Sequence, residues 1–447
     1  MSALAYIALA RGYAVTGSDL RPNDITSKLV SAGARIFEGH DPGNVPRNAD
    51  IVVKSTCIPP GNSELVKAGE LGITIVPRAE FLKETVASAD MSIGITGTHG
   101  KTTTSALIAH IMEFCGKDPT VMIGGELDSF GGNARYGSEK MMVAEVDESD
   151  GLFRTMKVTY AVLTNIEREH MEHHGTMDSL VTSYKEFIKR ISSDGIMVYN
   201  GEDLLLREVS SVRVQGKVDF GISEAGVYKY SAKGLVSAGS IRFHLIVNGK
   251  ELGVMTSSLI GRYNAMNILG AVALSMELGL GFDEVSRAVS GFGCVKRRFD
   301  VVGRVGSIAV VEDYAHHPTE LKAVILAAVN YNKKGRVIVV FQPHRYSRTH
   351  DLAEEFSHCF YGADVVVLTG IYSADEEPLN GRGLKDIVRG MDKDRFHLIR
   401  IVEKNEIPEY ISGIVQEEDI VLILGAGDIL DVSLPLLSAI RGKRGEE

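Results

Sequence analysis

The residues best suited to chemistry lie in a glycine-bearing loop near residue 100. Residues 94–104 read GITGTHGKTTT and overlap the end of an apolar run that is predicted to be a strand. Glycines let the backbone approach a phosphate closely, so that successive N–H groups can point at its oxygens. An apolar-periodic helix is predicted directly after the loop, and its N-terminus adds positive potential. The predicted nucleotide-phosphate site contains Gly97, Thr98, His99, Gly100, Lys101, Thr102 and Thr103.

Two side chains of this loop have roles that follow from their chemistry. Lys101 would reach the β- and γ-phosphates, and the Thr102 hydroxyl would bind Mg²⁺. The strict pattern G-x-x-x-x-G-K-[ST] is not met, because its first glycine would fall on Ile95. A plain strand-to-helix turn is therefore the alternative, although the order of strand, loop and helix favours phosphate binding.

The elements that must position this loop are those of a multi-domain α/β protein. A chain of 447 residues is expected to form two to four domains. Short apolar runs rich in β-branched residues alternate with helical stretches, which is typical of parallel strands buried on both faces. We predict three segments, at residues 1–90, 91–296 and 297–447. Within the second, residues 218–259 alternate in polarity and contain Asn248-Gly249, which predicts appended antiparallel strands.

Composition excludes several classes of partner. The chain has 48 Lys and Arg against 58 Asp and Glu, a net charge of −10. This disfavours nucleic acid and anionic membranes, because counterion-driven binding needs a basic surface. The cysteines form no C-x-x-C pair, so we expect reduced thiols rather than a zinc site or a disulfide framework. No apolar run reaches the ~18 residues of a membrane span, and a cytoplasmic protein is expected.

Five segments, taken in order, carry a resemblance to a known family. They read GTHGKTT at 97–103, EVDESD at 145–150, TNIEREH at 164–170, DYAHHP at 313–318 and FQPHRYSRT at 341–349. Together they resemble the Mur ligases, which build the peptide of bacterial cell-wall precursors, and the last two segments are most similar to the alanine-adding member. The resemblance covers nearly the whole chain. It implies a Rossmann-like N-terminal domain for a UDP-sugar, a P-loop central domain for ATP and a Rossmann-like C-terminal domain for the amino acid.

The resemblance also implies a reaction. The carboxylate of UDP-N-acetylmuramate would attack the γ-phosphate of ATP to give an acyl phosphate, and the amine of L-alanine would then displace phosphate. The products would be UDP-N-acetylmuramoyl-L-alanine, ADP and phosphate. Because a carboxylate approaches a triphosphate, divalent metal and basic side chains are needed to neutralise the charge. The resemblance implies Mg²⁺ as cofactor and small-molecule substrates, and we expect a monomer or homodimer.

The metal ligands implied by the resemblance are Glu145 and His170. Glu145 ends a predicted buried strand, and it would bind Mg²⁺ beside Thr102. His170 would be the second ligand, which is tolerable beside waters and phosphates although Mg²⁺ prefers oxygen. The acids that follow Glu145 are expected to be a solvated run, and the histidines after His170 are expected to be polar helix-start residues. These neighbours are Asp147, Glu148, Asp150, His173 and His174.

The resemblance assigns further residues to ATP. Asn264 and Asn267 are three residues apart and share a helical face, where amides can read the adenine edge; the alternative is a helix cap and an exposed amide. Arg298 resembles an arginine that contacts ATP, and Asp313 would hydrogen-bond the ribose.

The amino-acid end is expected in the third segment. Tyr314 and His316 would line it, together with His344. Arg345 and Arg348 follow a predicted strand and could clamp the carboxylate of alanine and the acyl phosphate. The expected catalytic set is Lys101, His170, His316, Arg345 and Arg348.

The start of the chain departs from the family pattern. Family members place a strand and a G-x-G-G-x-G loop before the sequence that corresponds to residues 1–5, MSALA. We therefore expect the first domain to be truncated, with the sequence beginning at an internal methionine as the favoured explanation. The remaining candidates for UDP-sugar binding are Ser18, Asp19, His40, Ser55, Thr56 and Arg78.

Three other functions stay open at this point. A ligase could join a whole tripeptide to the same muramate in cell-wall recycling, although residues 344–348 favour a single amino acid. A P-loop kinase or NTPase would turn over ATP without an amine. A third alternative is an inactive UDP-sugar-binding protein, left without activity by the truncated first domain.

Overall fold

A computed structural model of the chain describes residues 1–55, 57–138, 140–149, 151–374, 376–379 and 383–445. The described residues fold into two compact units. The first unit contains Met1–Lys233, His244–Val254 and Met266–Phe292. The second unit contains Gly234–Phe243, Met255–Ala265 and Gly293–Glu447.

The first unit begins with a small α/β segment of four short strands and four helices. The strands are β1 (Thr16–Asp19), β2 (Arg35–Glu38), β3 (Ile51–Lys54) and β4 (Thr74–Pro77). The helices are α1 (Ser2–Ala10), α2 (Asp24–Ser31), α3 (Ser63–Glu70) and α4 (Arg78–Ala87). β1 pairs in parallel with β2, and β3 pairs in parallel with β4, so that the four strands form two small sheets.

A larger sheet and its helices follow. The strands are β5 (Met91–Thr96), β6 (Thr120–Leu127), β7 (Gly132–Arg135), β8 (Met141–Glu145), β9 (Tyr160–Leu163), β10 (Ile196–Asn200), β11 (Gly216–Ile222), β12 (Tyr230–Val236), β13 (Ile241–Val247) and β14 (Lys250–Ser257). The helices are α5 (Lys101–Phe114), α6 (Met171–His174), α7 (Met177–Ile188), α8 (Leu204–Val209), α9 (Arg262–Glu277) and α10 (Phe282–Gly291). Among the described residues the strand order is β14-β13-β12-β11-β10-β9-β5-β8-β6-β7.

The centre of this sheet positions the phosphate loop. β5 pairs in parallel with β8 on one side and with β9 on the other. Its last five residues are buried, and α5, which follows the loop, buries ten of its residues. The carboxyl ends of parallel strands lie at one edge of a sheet, which is where ligands usually bind. The loop after β5 therefore starts from a rigid, fully packed strand.

The appended strands agree only partly with the sequence prediction. Asn248 and Gly249 have φ values of 49° and 75°, as a two-residue hairpin turn requires, and they join β13 to β14. However, β11 pairs in parallel with both β10 and β12, which corrects the prediction of antiparallel strands from residue 218. Only the last three residues of β11 pair with the first three of β12, so the connecting loop has to run back along β11 by only that short distance.

The second unit is a six-stranded sheet between helices. Its strands are β15 (Asp300–Val305), β16 (Ile308–Asp313), β17 (Val337–Phe341), β18 (Val365–Leu368), β19 (Leu398–Ile401) and β20 (Ile420–Leu424). Its helices are α11 (Pro318–Tyr331), α12 (Tyr346–Asp351), α13 (Ala353–His358), α14 (Leu384–Gly390), α15 (Ile407–Ile414) and α16 (Ser433–Arg444). The order among the described residues is β15-β16-β20-β17-β18-β19, and only the β15–β16 pair is antiparallel.

Burial explains why the strands of the second unit could be recognised from sequence. Every residue of β17, β18 and β20 is buried. Two apolar clusters pack on opposite faces of the sheet, with alternate residues of each strand in each cluster. The α/β class is thereby confirmed. In the described part of the chain no helix has both the length and the apolar character needed to cross a bilayer.

Candidate active site

The loop after β5 leads through two glycines directly into a helix, and phosphate binding by this loop stays a prediction. Gly97 and Gly100 have positive φ values of 136° and 82°, and α5 begins at Lys101. The N–H groups of Thr98 and His99 donate to the main-chain and side-chain oxygens of Asn165, at 3.0 and 2.8 Å. Asn165 follows β9, so the neighbouring strand fixes the shape of the loop. The predicted strand, loop and helix are thus confirmed as elements.

A methyl group at Gly97 should disrupt this loop. A Cβ there would lie 2.1 Å from Thr164 Oγ1 and 2.9 Å from the carbonyl oxygen of Asn165. We expect Gly97→Ala to cost about 3 kcal/mol or more in unfolding free energy and to weaken ADP binding. The matched control is Gly116→Ala, because Gly116 has a φ of 72° but nothing within 4 Å of the added methyl. That control should lose about 1 kcal/mol. Equal losses for the two variants in urea denaturation would contradict this interpretation of the loop.

Lys101 lies in a buried ion pair. Its Nζ donates to the carbonyl oxygens of Gly97 and Thr98, at 2.6 and 3.1 Å, and is 2.9 Å from Glu148 Oε2. The exposed fractions of the two charged side chains are 12% and 1%. Burial alone would lower the pKa of Lys101, but the carboxylates of Glu148, Asp147 and Glu145 outweigh it and raise that pKa. Lys101 is therefore a permanent cation in the loop.

Thr102 and Glu145 lie together, as the sequence predicts. The Thr102 hydroxyl donates to both carboxylate oxygens of Glu145, at 3.2 and 3.0 Å. The N–H of Gly124 also donates to Glu145, at 2.7 Å. Glu145 is therefore fixed at the end of β8, with its carboxylate beside the Thr102 hydroxyl in the first turn of α5.

The prediction that the acids after Glu145 form a solvated run is wrong. Asp147 and Glu148 face inward, and with His170 they offer three ligand atoms within 4.8 Å of one another. Burial would raise the pKa of Asp147, but Lys101 and His170 outweigh it and lower that pKa. Asp150 lies outside the described residues. This burial could not be predicted from the sequence, because short acidic runs usually lie in solvent.

His174 is likewise buried and is more than a polar residue at a helix start. Its Nε2 lies 2.9 Å from the main-chain oxygen of Glu148, and its ring packs edge-on against Phe153, with centroids 6.4 Å apart. His170, which precedes α6, has a left-handed φ of 56°. Helix α6 therefore anchors the segment that carries Glu148.

The side chains of Thr102, Glu145 and His170 offer ligand atoms that suit a magnesium ion. Mg²⁺ prefers oxygen ligands and usually takes one or two carboxylates together with phosphate and water. Thr102 and Glu145 offer a hydroxyl and a carboxylate that already contact each other. His170 adds a nitrogen close to Asp147 and Glu148.

The two predicted adenine-binding amides have different surroundings. Asn267 is buried, and its Oδ1 accepts from Thr104 Oγ1 at 3.3 Å. It packs so closely on the loop that a Cβ at Gly100 would lie 2.4 Å from that oxygen. Asn264, in the second unit, is also buried and donates to the carbonyl oxygen of Ile260 at 2.8 Å. Adenine binding by these residues stays a prediction.

In the second unit, Asp313 ends β16 as a buried acceptor. Its two oxygens accept from the N–H groups of Phe299 and Ala315, at 2.7 and 2.8 Å. Burial raises the pKa of Asp313 to about 6, although Arg298 and the two N–H donors oppose the shift. The Arg298 guanidinium lies over the Tyr314 ring, 5.1 Å from its centroid. Arg298, Asp313 and Tyr314 therefore form one group.

The raised pKa predicts a dependence of stability on pH. The folded pKa of about 6 exceeds the ordinary value of 3.8, so the folded state binds more protons than the unfolded state between these values. The contribution of Asp313 to the unfolding free energy is fully present below pH 3.8 and is lost as the pH rises through 6. Between pH 4 and 7, the unfolding free energy of the parent should fall by roughly 2 to 3 kcal/mol relative to that of Asp313→Asn. A constant difference between the two proteins in urea denaturation would refute this.

A row of rings crosses the carboxyl ends of the parallel strands in the second unit. The His316 ring is edge-on to Tyr314, at 5.4 Å, and lies 6.0 Å from the ring of His344. The ring of His344 stacks on Tyr372, with centroids 5.4 Å apart and planes 12° apart. Glu320 Oε2 lies 3.3 Å from His316 Nδ1. Tyr372 and Glu320 were missed by the sequence reasoning, because neither belongs to a motif.

The two predicted arginines lie beside this row. Arg348 is 9% exposed, and its Nη1 donates to the carbonyl oxygen of His344 at 3.0 Å. Arg345 has a left-handed φ of 72°, and its N–H donates to the carbonyl oxygen of Tyr372 at 2.8 Å. A non-glycine residue in this conformation often marks a functional site. The structure therefore brings together the residues predicted for the amino-acid end.

The candidates for sugar binding form a smaller group. Ser18 Oγ donates to Glu64 Oε2 at 2.6 Å and lies 3.0 Å from His40 Nδ1. Glu64 was not predicted. Elsewhere in this segment, Asp19 accepts from the N–H of Arg21. The remaining candidates are Ser55, whose hydroxyl lies 3.2 Å from Cys57 Sγ, Arg78, which begins α4, and Thr56, which lies outside the described residues.

The chain belongs to the Mur ligase family, as comparisons with known proteins show. Residues 1–89 match the Mur ligase family catalytic domain, residues 95–275 the middle domain and residues 297–427 the glutamate ligase domain. Among its relatives, the UDP-N-acetylmuramate–L-alanine ligase of Trichlorobacter lovleyi is 39% identical over 434 residues, which cover 96% of this chain and 94% of that protein.

Solved structures agree with this assignment. A crystal structure of a UDP-N-acetylmuramate-alanine ligase from Thermotoga maritima aligns with a TM-score of 0.84 and 28% identity, covering 99% of this chain and 97% of that one. A murein peptide ligase from Psychrobacter arcticus aligns with a TM-score of 0.73 and 22% identity, covering 98% of this chain and 96% of that one. The second likeness supports the fold alone.

Proposed function

We propose that the protein joins L-alanine to UDP-N-acetylmuramate at the expense of ATP, through an acyl phosphate. The single observation that supports this best is the group of Lys101, Thr102 and Glu145 at the start of a helix, because it suits a nucleotide triphosphate with its metal. The 39% identity to a relative named for this reaction supports the choice of substrates. Because ATP is supplied in the cytoplasm, we propose that the reaction takes place there.

In the first unit, the residues of the loop would bind ATP and stabilise the transferred phosphoryl group. The N–H groups of Thr98 and His99 already donate to Asn165, so the main-chain N–H groups in the first turn of α5 would point at the phosphates instead. Lys101 would neutralise charge that develops on the γ-phosphate. Thr102 and Glu145 would hold Mg²⁺, with His170 near a second position. The metal would supply charge neutralisation at the phosphoryl oxygens. The buried setting strengthens each of these electrostatic contacts.

In the second unit, the residues after β17 would bind the amino acid. The planar fork of Arg348 suits a carboxylate, and its position is fixed by His344. The His316 imidazole, held by Glu320, would accept a proton from the ammonium group of alanine, so that the free amine can attack. Asp313 would accept a hydrogen bond from a hydroxyl group of the ATP ribose.

The test is phosphate release with all four components, ATP, Mg²⁺, UDP-N-acetylmuramate and L-alanine, and with each component omitted in turn. We expect release only with the full set, together with a product heavier than UDP-N-acetylmuramate by one alanyl residue. Replacing alanine with the tripeptide L-Ala-γ-D-Glu-meso-diaminopimelate should give at most slow release. Equal rates with the tripeptide would favour the recycling ligase, and release without any amine would favour an NTPase.

A further inference from the structure

The three protons of the Lys101 ammonium group are all used inside the protein. The carbonyl oxygens of Gly97 and Thr98 accept two of them, and both oxygens of Glu148 lie within 3.1 Å of Nζ. An ammonium group has three donors and no acceptor. A phosphate oxygen bound by Lys101 must therefore displace or share one of these partners, and Glu148 is the only charged one among them.

Glu148 itself is held rigidly. Its side chain is 1% exposed, and its main-chain oxygen accepts from the N–H of Gly151 at 3.2 Å and lies 2.9 Å from His174 Nε2. The neighbouring Asp147 accepts from the N–H of Ser149 at 3.1 Å, which fixes the turn. Because this segment is anchored on both sides, the lysine rather than the glutamate is the partner that can turn toward a ligand.

We propose that Glu148 is a positioning residue that competes with the nucleotide phosphates for Lys101 and so limits the affinity for ATP and ADP. The inference rests on the proposed function, because it takes Lys101 as the residue that contacts the phosphates. The carboxylate occupies the place beside Nζ that a phosphate oxygen needs, and it adds negative charge next to the polyphosphate. A weaker complex with ADP would in turn speed release of that product.

The test is the affinity for MgADP of Glu148→Gln, measured by calorimetry on the full chain. Glutamine has the same size but no charge, so the dissociation constant should fall about fivefold to tenfold, as expected for loss of a charge-assisted hydrogen bond to Lys101. The KM for ATP should fall with it, while kcat should not rise, because ADP leaves more slowly. Glu148→Met provides a second variant, which should shift the affinity in the same direction.

The matched control is Asp419→Asn. Asp419 is also a 1% exposed carboxylate in an ion pair, 2.6 Å from Arg336 Nη2 in the second unit. Asp419→Asn should lower the midpoint of thermal unfolding but leave the ADP affinity within about twofold of the parent. A merely structural role for Glu148 predicts that Glu148→Gln behaves like this control.

The outcomes separate the two claims. If the parent binds ADP and makes product while folded Glu148→Gln binds ADP equally well or more weakly, the inference is overturned and the proposed function stands. If the parent neither binds ADP nor releases phosphate with the full substrate set, both are overturned. Tighter ADP binding in both Glu148 variants, with an unchanged control, supports the inference.

Discussion

Replacing Lys101 with methionine should reduce phosphate release about 10³-fold and destabilise the protein at the same time. The rate falls because a cation positioned at the transferred phosphoryl group is lost. Stability falls because Glu148, 1% exposed, loses its only cationic hydrogen-bond partner among the described residues, and an unpaired buried charge costs about 3 to 5 kcal/mol. Phosphate-release kinetics and urea denaturation of the same preparation measure both effects.

A double variant separates the two roles of Lys101. Lys101→Met with Glu148→Gln should recover most of the lost stability, because no buried charge is left unpaired, but none of the activity. The matched control is Lys189→Met, which removes an exposed lysine and should change neither quantity. Recovery of activity in the double variant would mean that Lys101 serves only to neutralise Glu148, and would contradict its role at the phosphates.

Replacing Arg348 with lysine should reduce kcat/KM for alanine about 10²-fold. Lysine keeps the charge but loses the planar fork that can bind a carboxylate through two parallel hydrogen bonds. It also cannot reproduce the contact with the carbonyl oxygen of His344, which fixes the guanidinium in a site that is 9% exposed. Initial rates at varied alanine and saturating ATP measure the effect.

The control for Arg348 is Arg389→Lys, which alters a side chain that is 80% exposed and should leave the kinetics unchanged. The loss in Arg348→Lys should appear mainly in the KM for alanine if the residue binds the carboxylate of the amino acid. A variant with unchanged KM for alanine but a raised KM for ATP would reassign Arg348 to the nucleotide.

The parts of the site that are local in sequence could be predicted. The loop at residues 97–103 could be recognised because its glycines, Lys101 and the start of α5 are adjacent in the sequence, although Asn165 fixes its shape in the folded protein. Buried strands such as β17 and β20 were equally recognisable, since they are apolar on both faces. Asp313 and Glu145 could be placed because each directly ends such a strand.

The residues that were missed depend on contacts between distant segments. Glu148 reads as a surface acid in the sequence, but it is buried beside His174 of α6. Its ion pair with Lys101 joins residues 47 apart in the sequence. Tyr372 stacks on His344 only because β17 and β18 are neighbours in the sheet. The parallel pairing of β11 with β12 depends on strand register, which alternation of polarity does not reveal.

An acyl phosphate formed from the muramate carboxylate can be detected by following the oxygen atoms of that carboxylate. UDP-N-acetylmuramate labelled with ¹⁸O in both carboxylate oxygens is turned over with ATP, Mg²⁺ and L-alanine, and the released phosphate is analysed by mass spectrometry. We expect one ¹⁸O in each phosphate, because the oxygen that attacks the γ-phosphorus leaves with it. Unlabelled phosphate, with its fourth oxygen drawn from water, would rule out an acyl phosphate.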